Sequence, residues 1–145
     1  MNKLADKPII IFDTNALISA LMYPEPVSAR ALIIGVGHFQ LAASDCTWAE
    51  LEAVSSRKKF NKYWLAQDRL VFLAQMVAIT NFCDVTTAIT DCVDATDNKF
   101  LKLAIDAKAR VIVSGDQHLR GMHPFQGISV ISPNDFLSMI NPKAK

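Results

Sequence analysis

The sequence predicts an α/β fold: a central, mostly parallel sheet flanked by helices on both faces. Three observations carry that prediction. Short, continuous apolar runs recur at Pro8-Ile-Ile-Ile-Phe12, Arg110-Val-Ile-Val-Ser114 and Ile128-Ser-Val-Ile131. Runs of this kind are strands buried on both sides, as parallel strands are. Amphipathic segments of helical period lie between them, and right-handed crossovers then place helices on both faces. The composition, 51% apolar and 20% charged with 5 Gly and 6 Pro, is that of a folded domain rather than a disordered chain. At 145 residues the chain reads as a single domain over 1–145, with its core in 8–140 and short flexible tails. A chain of this length buries roughly 68–70% of its unfolded surface and needs no disulfide or structural metal to hold a core.

The first strand is bounded by Pro8 and by Asp13-Thr14-Asn15. Ala16 to Met22 reads as a helix, and Tyr23-Pro24-Glu25-Pro26 punctuates it. Val27 to Val36 is a second helical segment with Gly35 and Gly37 near its end, and Phe39 to Ala43 is a short strand. Ser44 or Asp45 caps the next helix, on which Trp48, Leu51 and Val54 share a face. Ser55-Ser-Arg-Lys-Lys59 breaks the pattern, and Leu65 to Ile79 resumes it as a longer amphipathic helix. The stretch Asp84 to Ile89 is ambiguous, and Val85-Thr-Thr favours a short strand there. Asp97 to Lys108 is a helix with Phe100, Leu101, Leu103, Ala104 and Ala107 as its apolar stripe. After the strands at Arg110 and Ile128, Pro133 to Ile140 is a last helix with proline at its start. The tail from Asn141 to Lys145 is expected to fray.

Lys and Arg number 15 against 14 Asp and Glu, a net charge of +1. That balance excludes a sequence-independent nucleic-acid coat protein and leaves room for an enzyme that meets nucleic acid through bound cations. The three cysteines, Cys46, Cys83 and Cys92, fit no CxxC spacing and read as free, mostly buried thiols of a reducing compartment. The first eight residues lack the apolar core of a secretory signal, and the longest apolar stretch, Ala31 to Gly37, is too short to span a bilayer. A cytoplasmic protein is the expectation.

The acidic residues carry the chemical information. Asp13 directly follows the first buried strand, and Asp116 follows the strand ending near Ser114 after one glycine. Ligands of open α/β sheets bind beyond the carboxyl ends of the strands, so the two carboxylates meet if their strands are neighbours. The competing reading makes each a helix N-cap. Asp97 leads the stripe 97, 101, 104 and 108, which puts a carboxylate at the edge of an apolar face. A bound cation there removes the cost of burying charge, as does a cap or first-turn role; Asp94, one turn earlier, is the better cap. Glu50 and Glu52 flank Leu51 at about 100° on either side, and the helical wheel does not choose between them. Carboxylates without a histidine cluster or cysteine pair make an all-oxygen site suited to Mg²⁺ or Mn²⁺ rather than zinc. Asn15 and Ser114 are placed to orient such ligands.

Other chemistries lack their parts. Gly35-Val-Gly37 has Gln40 where a dinucleotide loop needs its third glycine, and there is no GxxxxGK[ST], HExxH or GxSxG. His38, His118 and His123 are scattered, and His118 comes nearest the acids. An Asp-based phosphatase needs a second aspartate where Asn15 stands.

Phe12-Asp13-Thr14-Asn15, Ser44 followed by Glu50-Leu51, Asp97-Asn98-Lys99-Phe100-Leu101 and Ser114-Gly115-Asp116 together resemble the PIN-domain nucleases. They lie closest to the branch of toxin–antitoxin toxins, and the likeness runs from about 8 to 140. The resemblance implies a Mg²⁺- or Mn²⁺-dependent ribonuclease whose four acids fall on Asp13, Glu50, Asp97 and Asp116, which selects Glu50 over Glu52. It also places the family's accessory polar residues on Asn15 and Ser114, and implies products with 5′-phosphate and 3′-hydroxyl ends. The implied partners are an RNA substrate, a cognate antitoxin and a second copy in a homodimer. Two departures stand out. Asp116-Gln-His118-Leu replaces the branch's Asp-x-Asp-Leu, and Asp94-Ala-Thr-Asp97 replaces its Asp-Pro-Asp-Asp, which implies weaker metal binding. Those losses motivate the alternative of a degenerate PIN fold that binds nucleic acid or protein without catalysis. A carboxylate cluster without metal repels itself and should raise the pKa of at least one member. Arg57, Lys58 and Lys59, followed by Phe60, Lys62, Tyr63 and Trp64, interleave cations and aromatics as a candidate phosphate-and-base platform. The competing reading is a solvated helix end with snorkelling stems.

Overall fold

The computed structural model describes residues 7–21, 26–86 and 97–140. Within them, strand β1 is Ile9–Phe12, β2 Gln40–Ala43, β3 Thr80–Phe82, β4 Ala109–Val113 and β5 Ser129–Ile131. The helices are α1 Thr14–Leu21, α2 Pro26–His38, α3 Asp45–Ser55, α4 Ala66–Ile79, α5 Asn98–Ala107, α6 Gln117–Arg120 and α7 Pro133–Ile140. A 3₁₀ turn at Lys58–Phe60 separates α3 from α4. The strands form one parallel sheet in the order β3-β2-β1-β4-β5.

Alternating side chains of the central strands feed two cores. Ile10 and Phe12 of β1, with Val111 and Val113 of β4, pack with α1, α2, α3, α4 and α7. Ile11 and Ile112 point the other way, against Phe100, Leu101, Leu103 and Ala104 of α5. Helices therefore cover both faces of the sheet, as the continuous apolar runs require.

Three local readings change. Helix α2 runs through Gly35 and Gly37 to His38, beyond the expected end at Val36. Gly35 is there for close packing, since a Cβ would lie 3.1 Å from Cε1 of Phe12. The extra strand is Thr80–Phe82, not Val85-Thr-Thr; the part of that segment beyond Thr86 lies outside the described residues. Thr80, Asn81 and Phe82 pair with Leu41, Ala42 and Ala43 of β2, while the amide of Thr86 donates to the Asp106 carboxylate at 2.5 Å instead of to a strand. Strand β3 follows α4 without an intervening turn, directly after Ile79, where the helix was expected to end. Cys46 is exposed and Cys83 half-buried, against the expectation of buried thiols; Cys92 lies outside the described residues. Among the described residues no single helix is long and apolar enough to cross a membrane.

The chain order decides where a site can form. From β1 the chain moves outward through β2 to β3, then returns to the other side of β1 for β4 and β5. Strands β1 and β4 are thus neighbours at the point where the winding reverses, and parallel sheets open a crevice there at their carboxyl ends. Their register sets Phe12 opposite Val113, so Asp13 and Ser114 leave the sheet side by side.

Candidate functional site

Asp13 continues the sheet by one bond, its amide donating to the carbonyl of Val113 at 3.0 Å. Its carboxylate is 3% exposed and is held from three sides. Oδ1 accepts from the amide of Ala16 at 2.8 Å, which caps α1. Oδ2 accepts from the Ser114 hydroxyl at 2.5 Å and the Gly115 amide at 3.2 Å. Burial pushes the Asp13 carboxyl up to about 6, against the pull of these hydrogen bonds, and the negative charge of Asp116 adds to the rise. The raised carboxyl expected of an acidic cluster is therefore present, but its main cause is desolvation rather than mutual repulsion.

Ser114 links the two strand ends. It is fully buried, and its oxygen accepts from the Asp116 amide at 2.9 Å while its proton serves Asp13. Asp116 Oδ1 in turn accepts from the His118 amide at 2.7 Å and caps α6. The capping and site readings of Asp13 and Asp116 thus coincide: one oxygen of each binds a helix N-terminus, and both residues line a common cleft.

Glu50 arrives from α3, whose first turn is fixed by a capping box. Ser44 Oγ accepts from the Thr47 amide at 3.2 Å, and Thr47 Oγ1 accepts from the Ser44 amide at 2.9 Å. With Leu51 and Val54 buried, Glu50 is turned into the cleft and Glu52 is exposed to solvent. Packing thereby separates the two glutamates that the wheel left equivalent. Glu50 Oε1 accepts from Lys99 Nζ at 2.8 Å, and Oε2 accepts a short hydrogen bond from the Thr14 hydroxyl.

Asp97 occupies the N-cap position of α5 without making a side-chain capping bond, and it is 8% exposed. Leu101 and Ala104 on its stripe are fully buried, so the carboxylate does sit at the edge of an apolar face. Asp94 and Thr96 lie outside the described residues.

Asp13, Glu50, Asp97 and Asp116 line one open cleft of about 190 Å³, together with Thr14, Asn15 and Arg57. Asn15 is exposed at its rim. Lys58 and Lys59 are exposed and stand away from the lining. Of the aromatics in the expected platform, Phe60 is 5% exposed and belongs to the core, and half-buried Trp64 packs on Phe72 with ring centroids 5.4 Å apart, while Tyr63 is exposed. The ammonium groups of Lys59 and Lys62 lie 5.0 and 5.1 Å from the rings of Phe60 and Tyr63, which fits snorkelling stems.

Thr14, Lys99 and Gly115 were not among the expected site residues. Thr14 stands within the Asp13-Thr14-Asn15 turn and was within reach of sequence reasoning. Lys99 meets Glu50 across 49 positions, a pairing that no local pattern announces.

The donor set is all-oxygen and suits a hard divalent cation. Among the described residues, however, no three Asp, Glu, His or Cys side chains are arranged to hold a metal ion as they stand. Asp13 and Glu50 turn their oxygens to protein donors. The residues fit such an ion in chemical kind.

The model of the PIN domain family matches residues 9–118 of this chain. An uncharacterized protein of Methanocaldococcus jannaschii is 27% identical over 134 residues, spanning 91% of this chain and 81% of that protein.

Proposed function

The chain belongs to the PIN-domain family, whose members are generally nucleases, and from that premise we propose that it is a Mg²⁺- or Mn²⁺-dependent endoribonuclease. The carrying observation is the adjacency of β1 and β4, which brings Asp13 and Asp116 into one cleft with Glu50 and Asp97. In this reading those four carboxylates hold the cation. Ser114 and Gly115 fix the rotamer of Asp13, and Asn15 stands at the rim beside it. Arg57 meets a phosphate at the opening, and the exposed Lys58 and Lys59 extend that contact along the RNA backbone. When bound, a divalent cation supplies Lewis acidity to a water and neutralises charge on the phosphodiester.

At the finer level we read the protein as the cytoplasmic toxin of a type II toxin–antitoxin pair, with an antitoxin as partner. The order and spacing of the four motifs support that reading. A homodimer is supported by the outer face of α4, where Leu70, Val71 and Val77 are 61%, 56% and 49% exposed. A PIN fold that binds without cutting is the second reading, favoured by the fact that Lys99 already neutralises Glu50.

Cleavage of a 5′-labelled single-stranded RNA, with wild type, Asp13→Ala and wild type in EDTA, tests the proposal. Metal-dependent cutting that both controls lose is the expected result. Folded protein that neither cuts nor takes up Mn²⁺ would sink the nuclease reading and leave the binding module.

A further inference from the structure

An ion pair joins Lys99 Nζ to Glu50 Oε1 at 2.8 Å, and its acidic partner lines the cleft. Folding does not explain it well. Lys99 occupies the second position of α5, where the positive end of the helix dipole disfavours a cation. Both side chains are 25% exposed, and pairs so accessible contribute little to stability. The pair does occupy an oxygen of Glu50, while Thr14 occupies the other. A lysine ammonium is a compact charge on a flexible four-carbon stem, well suited to being moved.

We infer that Lys99 is the built-in counter-cation of the cleft: it neutralises Glu50 until a divalent ion enters, and then yields Oε1 to that ion. The inference rests on the divalent-cation reading above. One of the acids that line the cleft is thus already partnered from within the chain. Lys99 is thereby a positioning residue: its pairing sets how tightly the cleft takes up metal.

Calorimetric titration of metal-free protein with Mn²⁺, comparing wild type, Lys99→Gln and Lys99→Arg, provides one test. Lys99→Gln is expected to bind roughly five-fold more tightly, the factor that corresponds to removing a competing pair of this exposure, while Lys99→Arg stays as weak as wild type. A second test needs no variant. Reductive methylation mapped by mass spectrometry should label Lys99 slowly in metal-free protein and faster at saturating Mn²⁺. Tighter binding by Lys99→Gln with unchanged labelling of wild type would mean charge repulsion without exchange, and would overturn the inference. Unchanged affinity together with unchanged labelling would make the pair a structural tie between α3 and α5. If Mn²⁺ binds to Lys99→Gln but not to wild type, Lys99 blocks the cleft without yielding Oε1, and the inference fails. If neither protein binds Mn²⁺, the divalent-cation reading fails and the inference with it. Should Lys99→Gln melt too low to study, the labelling of wild type alone decides.

Discussion

Asp13 is a carboxylate that the fold buries at a cost and then restrains with three donors. Its ordinary pKa of 3.8 rises to about 6 in the folded protein. Between those values the folded state holds a proton that the unfolded state has lost. The associated stability is therefore complete below about pH 4 and is lost as pH rises through 6. The shift from 3.8 to about 6 corresponds to about 3 kcal/mol at neutral pH. In metal-free protein, Asp13→Asn should remove that loss. Urea denaturation at pH 4 and pH 7 should show the variant gaining on wild type by up to about 3 kcal/mol over the interval. Equal pH slopes for the two proteins would contradict the assignment. Reading the carboxylate from sequence was possible because it follows a buried strand; reading its environment was not, because Ser114 and Gly115 lie more than 100 positions away.

At the scale of elements, α2 shows how a residue type misleads when its neighbours are unseen. Gly35 stands near the expected helix end at Val36, yet α2 continues to His38, and the ring of Phe12 fills the space a side chain at Gly35 would need. Gly35→Val should overpack that contact and cost about 1–3 kcal/mol, read as a lower urea midpoint. Because Phe12 precedes Asp13, the same variant is expected to disturb the strand end that presents the carboxylate. An unchanged midpoint would mean that β1 and α2 separate easily to admit the added methyls. The edge strand β3 is also fixed from outside: the helix ends at Ile79 as expected, and pairing with β2 and the packing of Phe82 on Trp48, with centroids 5.4 Å apart, make a strand of the three residues that follow. Where the period was unbroken and the termini marked, as in α5 and α7, sequence and structure agree to within a residue or two.

For the whole molecule, a net charge of +1 leaves little general attraction for RNA. On the proposed function, fluorescence anisotropy in EDTA should report weak RNA binding that Mn²⁺ strengthens. Mn²⁺ alone should raise the melting temperature, by the equivalent of about 2.7 kcal/mol at 100 times its dissociation constant. No rise would count against a cation held by this cleft. The sequence by itself determined the α/β class, the two central strands and the acids at their ends, because buried parallel strands and the residues that terminate them leave a local pattern. Glu50 was already chosen over Glu52 by the family resemblance, whereas the burial of Phe60, the packing of Trp64 on Phe72 and the bond from Lys99 to Glu50 were decided by tertiary structure alone. Each depends on which surfaces the β1–β4 adjacency and the packing of α3 against α5 bring face to face, and contacts across 36 to 102 positions have no period to betray them.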